Sequence, residues 1–274
     1  MTERITQDAY NEISAVNWTR LKRLHVSPAH YAHDPGDTDT ASRGMLRAVH
    51  SLVLEPDVFD RDFAICTMRR DKRSKAYQAF LAEHGGKTIL NQREHADASA
   101  IADAVRAYPA AARLLDHPDA RTEVLLRWEC SVTGQACKGR ADYLLLAGDR
   151  ATLIDLKTVR SVAPREMARD AARMLYHGQL AHYADGVRAM FPEVEHVEQG
   201  LLAVEGNAPH DVGLYMLDEA AQYAGQALRD GLMRKLAECR SNDHYPGQCP
   251  EPTALPLPSW APGMPDFDIE PTFT

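Results

Sequence analysis

The chain is predicted to be an α/β protein, with one mixed β-sheet flanked by helices and an N-terminal helical lobe. Three observations carry this. Strand formers concentrate at 122–130, 138–147 and 150–159, with turn signals between them. Apolar residues at helical spacing dominate the stretch before them. After them, a helical segment at 165–190, strands at 196–205 and 211–217, and a helix at 218–240 alternate along the chain.

Residues 12–25 suit a short helix, and SPAHYAHDPGD at 27–37 reads as a loop rich in turn formers. Residues 41–54 place Met45, Leu46, Val49, Leu52 and Val53 on one helical side, with His50 among them; Glu55-Pro56 ends that helix. Helices are also predicted at 73–84 and 94–115. The three strand-rich segments form a meander. The GNAP sequence separates the last two strands, and Gly231 weakens the final helix only modestly. The last 25 residues hold seven prolines and are expected to be extended, with Trp260 as a docking point. The chain shows no internal repeat. It is read as one domain over 1–249, with the lobe at about 1–118 and the core at about 119–249, followed by a tail at 250–274.

The 274 residues can bury a large core, and 45% apolar and 26% charged residues are ordinary for a soluble globular protein. No segment is apolar for long enough to cross a bilayer, and the polar, acidic N-terminus has no signal-peptide core. Five cysteines, Cys66, Cys130, Cys137, Cys239 and Cys249, show neither a CxxC pair nor zinc-type spacing. Free thiols in a reducing cytoplasm are expected, and an iron–sulfur cluster is disfavoured. The net charge of −8 weighs weakly against nucleic-acid binding, yet residues 69–75, RRDKRSK, hold five cations against one acid. Arg69, Arg70, Lys72, Arg73 and Lys75 form either a solvated face or a phosphate-binding patch.

The most informative stretch is RADYLLLAGDRATLIDLK at 140–157. Gly148-Asp149 suits a short hairpin turn. Counting outward from it pairs Ala147 with Arg150, Leu144 with Leu153 and Asp142 with Asp155. The two carboxylates then lie opposite on one face, about 5 Å apart at Cβ, and repel one another. A divalent cation between them is the natural resolution. Lys157 shares a face with Asp155, because strand side chains alternate. This set fits phosphodiester hydrolysis. Metal carboxylates activate water, the Leu156 carbonyl reaches the metal, and Lys157 orients the water and stabilises charge at phosphorus. The D-x12-D-x-K spacing alone is weak; the apolar flanks YLLL and ATLI strengthen it, because a buried charge needs a partner.

GRADYLLL…TLIDLKT resembles the PD-(D/E)xK nuclease core, with Ala141 where many members carry proline. The nearer resemblance is to the nuclease domain of RecE-type exonucleases (exodeoxyribonuclease VIII) and their RecB-like relatives. It extends through SPAHY at 27–31, Gly44 to Pro56, RDKRSKAYQAFLAEHGGKTIL at 70–90, Glu123 to Trp128, CKGRADYLL at 137–145, YHGQLAHYADG at 176–186 and LPLPSWA at 255–261. The resemblance implies a restriction-endonuclease-like core. It implies that His50, Asp142 and Asp155 ligate Mg²⁺ (Mn²⁺ substituting), that Lys157 is catalytic, and that Gln179 and Tyr183 form the Q-x3-Y motif. Glu123 matches an acidic residue near the metals of related phage exonucleases. It further implies 5′-to-3′ digestion of one strand at double-stranded DNA ends, leaving 3′ overhangs for recombination. A ring-shaped homo-oligomer, a tetramer by resemblance, and a single-strand annealing partner protein belong to the same expectation. The alternatives are a RecB-like nuclease of other polarity, an endonuclease, and an inactive DNA-binding module. His25, His30 and His33 read as a surface loop rather than a second metal site, and His177 and His182 as surface or DNA-proximal.

Overall fold

The computed structural model describes residues 7–33 and 41–263. Short helices α1 (Gln7–Glu12), α2 (Trp18–Leu21) and α3 (Pro28–Ala32) precede the longer α4 (Ala41–Leu54) and the single turn α5 (Phe59–Asp62). Strand β1 (Phe63–Cys66), helix α6 (Lys75–Glu83) and strand β2 (Thr88–Asn91) follow, and β1 and β2 pair in parallel as a small separate sheet. Helices α7 (Gln92–Ala107) and α8 (Pro109–Leu115) lead into the main sheet. Its strands are β3 (Arg121–Glu129), β4 (Ala136–Ala147), β5 (Arg150–Val159), β6 (His196–Glu205) and β7 (Val212–Met216). They lie in chain order across the sheet, antiparallel except for the parallel β5–β6 pair. Helices α9 (Pro164–Met174) and α10 (Tyr176–Met190) make the crossover that a parallel pair requires, and α11 (Glu219–Asn242) closes the fold.

The sheet lies between two helical layers. Leu126, Leu144, Leu153 and Leu201 face α10 and α11, packing against Leu180, Val187, Met233 and Leu236 in one core. Tyr143, Ile154, Leu156 and Val204 face the other way, onto Val49 and Val53 of α4 and Ile101 and Val105 of α7. This two-sided burial explains the apolar flanks of the hairpin. The expected mixed sheet with flanking helices is therefore present.

Local differences have physical causes. The 94–115 helix is two helices, because Pro109 cannot continue α7; α7 itself begins at a capping box between Asn91 and Glu94. The 165–190 helix breaks at Leu175, which takes a left-handed φ of 60°. Within 12–25 only the end of α1 at Glu12, α2 and a 3-10 turn at Lys22–His25 are helical, and residues 13–17 are not. Within 27–33 the chain is helical rather than a loop, because Ser27 caps α3 and Pro28 opens it; residues 34–37 lie outside the described residues. Strands β1 and β2 were not expected. Trp260 is 82% exposed, so the tail does not dock through it. His182 is not at the surface: it is fully buried, its ring centroid 4.7 Å from that of Trp128, and shares a hydrogen bond with the Lys138 carbonyl. His25, His30 and His33 are exposed, as expected. The five cysteines are free, with only Cys249 exposed. Among the described residues no helix is long and apolar enough to cross a membrane.

Candidate active site

The hairpin turn is where the sequence places it: Gly148 has φ 63°, Ala147 faces Arg150 and Leu144 faces Leu153. The ladder then stops at Tyr143 and Ile154, one pair short of Asp142 and Asp155. Alternation along β4 fails at the same place, since Ala141 and Tyr143, two apart, belong to opposite cores. Asp142 therefore does not stand beside Asp155 as a simple cross-strand pair. Its carboxylate instead accepts the Leu156 N–H at 2.7 Å, taking the role of a strand carbonyl. Across from it on β3, Glu123 has a left-handed φ of 51°, a conformation that costs energy in any residue with a side chain.

This opening between strands holds two adjoining groups. In the first, His50 of α4, Glu123 of β3 and Asp142 of β4 bring one ligand atom each within 4.8 Å of one another. His50 Nδ1 lies 3.7 Å from Asp142 Oδ2, and the ring also bonds the Leu156 backbone. Arg140 Nε holds Glu123 Oε2 at 2.7 Å. Burial pushes the Glu123 carboxyl up to about 8; Arg140 opposes this, while Asp142, Glu55 and Asp155 add to it. Burial lowers the His50 pKa against the pull of Asp142, so the imidazole is neutral, the form that ligates metals.

In the second group, Lys157 Nζ lies 2.5 Å from Asp155 Oδ2 and donates to Gln179 Oε1 at 3.1 Å. The Gln179 amide donates to Asp155 Oδ1 at 2.8 Å and to the Tyr183 hydroxyl at 3.2 Å. Asp155 is 1% exposed, and burial pushes its carboxyl up to about 7, against Lys157 and with Asp142. Burial would lower the Lys157 pKa, but Asp155 and Asp142 outweigh it and hold the ammonium charged. Gly139 lets α10 approach β4 here: a Cβ on it would lie 2.7 Å from the Tyr183 ring.

Of the residues expected at the metal, His50 and Asp142 lie together, and Asp155 lies in the adjoining group. Glu123 joins His50 and Asp142, whereas Asp155 is paired with Lys157 and Gln179. The residues fit a divalent cation: two carboxylates and a neutral imidazole converge, and burial first, then the neighbouring carboxylates, disfavour the charged form of Glu123, which a cation would stabilise. Of the basic run, Arg69, Lys72, Arg73 and Lys75 are exposed, while Arg70 turns inward to the Ile89 carbonyl and pairs with Glu94. His177 is half-buried. Two residues went unread in the sequence. Tyr176, whose ring lies 4.8 Å from Lys157 Nζ, precedes Gln179 by three and Tyr183 by seven, a one-face helical spacing that was legible. Arg140 was legible only once the β3–β4 register put it diagonal to Glu123.

No curated protein sequence matches the chain. Among solved structures, one described as "Putative exonuclease" from Eubacterium rectale superposes with a TM-score of 0.62 over 93% of this chain and 96% of that one, at 12% identity. That likeness is one of fold. A second, titled SSO0001, covers 72% of this chain and 87% of its own at 18% identity, with a TM-score of only 0.29. The family model described as "PDDEXK-like domain of unknown function" (DUF3799) matches residues 18–255, nearly the whole described fold, and the chain belongs to that family.

Proposed function

We propose that the protein is a divalent-metal-dependent exodeoxyribonuclease acting on linear duplex DNA. The observation that carries this reading is the meeting of the His50–Glu123–Asp142 cluster with the Asp155–Lys157–Gln179 group where β4 and β5 part. His50, Glu123 and Asp142 would hold the cation, with Asp155 and the Leu156 carbonyl as the neighbouring oxygens. When bound, Mg²⁺ or Mn²⁺ supplies a water of lowered pKa and neutralises charge at phosphorus. Lys157 keeps its proton, so it serves as a fixed positive charge toward a phosphoryl oxygen and as a donor to the attacking water. Gln179 fixes the Lys157 ammonium and the Asp155 carboxylate together, and Tyr183 fixes Gln179. Exposed Arg69, Lys72, Arg73 and Lys75 are candidates for phosphate contact.

The RecE-like resemblance supports 5′-to-3′ digestion leaving 3′ overhangs, a tetrameric ring around DNA, an annealing partner and a cytoplasmic site of action. Duplexes labelled separately at the 5′ and 3′ ends, incubated with Mg²⁺ and with chelator, test activity, metal need and polarity together. Loss of label as mononucleotide from the 5′ end, only with metal, is expected. Asp155→Ala is expected to lose at least 100-fold in rate while still binding DNA. A wild type that digests neither duplex with Mg²⁺ or Mn²⁺ is not a nuclease of this kind.

A further inference from the structure

Helix α9 is unusual for its place beside the site. Of its eleven residues only Met167 is buried. Arg165, Arg169 and Arg173 repeat every four residues, so they form one solvent-facing row rising about 6 Å per step. Arg169 and Arg173 are 74% and 71% exposed even while paired with Glu166 at 2.6 Å and Asp170 at 2.8 Å. Such exposed pairs contribute little and yield readily to another anion. The apolar side of α9, Met167 and Ala171, packs on the core, and the arginine row lies on the side left to solvent. Both of its ends connect to the site. It follows β5 seven residues after Lys157, through exposed Arg160. Its C-terminal end passes through Leu175 to Tyr176, whose ring lies 4.8 Å from Lys157 Nζ. Arg173 and Asp170 are near enough to Tyr176 to influence its hydroxyl.

We propose that the Arg165–Arg169–Arg173 row of α9 is a track for the sugar–phosphate backbone of a nucleic-acid strand leading to Lys157 and Asp155. The proposal rests on the nuclease reading for its direction, and names a surface distinct from the run at 69–75. With a net charge of −8, the molecule as a whole repels polyanions, so binding depends on local rows of this kind. Phosphates replace Glu166 and Asp170 as partners of the arginines, and the displaced carboxylates return to solvent.

The test is fluorescence anisotropy with the full chain in chelator, where cleavage is silent. The probes are a labelled DNA duplex, the matching single strand and an RNA duplex, each across a salt series. The triple variant Arg165→Ala, Arg169→Ala, Arg173→Ala is expected to flatten the slope of log affinity against log salt by about two to three units. The double variant Glu166→Gln, Asp170→Asn is expected to tighten binding severalfold on the same probes. It removes no arginine and covers the case in which the triple variant fails to fold. Loss on DNA alone or on RNA alone assigns the track to that polymer. A triple variant that melts like wild type with an unchanged slope, or a folded double variant with unchanged affinity, overturns the track. The nuclease reading fails separately: a wild type that binds through α9 but digests no labelled duplex loses that reading and keeps this one.

Discussion

Glu123 combines three costs in one residue: a left-handed φ of 51° within a strand, a nearly buried carboxylate, and a pKa pushed up to about 8. A non-glycine residue there costs about 1–2 kcal/mol, and nothing in core packing repays it. The repayment is positional, because that kink turns the carboxylate toward His50 and Asp142. Asparagine tolerates this conformation, keeps a side-chain carbonyl acceptor and removes the carboxyl whose charged form burial disfavours. Glu123→Asn is therefore expected to raise the melting temperature of the chelated protein by about 2–4 °C, for about 1 kcal/mol. It is also expected to weaken Mn²⁺ binding at least tenfold by calorimetry. A variant that melts lower would mean that the Arg140 pair outweighs the backbone strain. The kink was not legible in the sequence, since glutamate gives no sign of positive φ; a place near a metal was expected for Glu123 only through the resemblance, from its position on the strand before the hairpin.

At the scale of elements, legibility follows from how local the determinants are. The β4–β5 register was readable because a Gly-Asp turn and apolar flanks define it over ten residues. Its opening at Asp142 was not, because that depends on Glu123 across the sheet and on the Leu156 N–H taking a side-chain acceptor. Strands β1 and β2 have four residues each and pair in parallel across an intervening helix, so no short-range pattern announces them. The α9–α10 break was hidden because leucine, not glycine, takes the left-handed turn. The packing of α10 on β4 has a sharper sequence signature in Gly139. A methyl there meets the Tyr183 ring at 2.7 Å, so Gly139→Ala forces α10 outward. A loss of about 1–3 kcal/mol in stability is expected from denaturant titration. Because Tyr183 and Gln179 move with the helix, turnover is expected to fall further than a change of stability explains, with DNA affinity held. Equal loss of affinity and turnover would place the glycine in the fold alone.

Across the whole molecule, the site is the point where the two helical layers meet through the sheet: His50 reaches it from α4, and Gln179 from α10. A cation there ties one layer to β3 and β4, so its binding is coupled to global stability. The pH dependence of that coupling has a definite sign. Folding raises the Asp155 carboxyl from 3.8 to about 7 and that of Glu123 from 4.5 to about 8. Without metal, the folded protein then binds more protons than the unfolded chain, and this stabilisation is lost as pH rises through about 7 and 8. His50 is held below its ordinary range, so below about pH 6.5 the unfolded imidazole binds a proton that the folded one refuses; this opposing term fades above that pH and leaves the carboxyls to set the sign between about 7 and 8.5. A cation must displace the carboxyl protons at low pH and meets free carboxylates at high pH. The stabilisation by Mg²⁺ over chelator, read as a melting-temperature difference, is therefore expected to be small near about pH 6 and to widen toward about pH 8.5, where it corresponds to about 2.7 kcal/mol at a hundredfold excess over Kd. Glu123→Asn should flatten that rise. A difference that is constant with pH, or that narrows, would mean the cation is not held by the carboxyls that folding protonates.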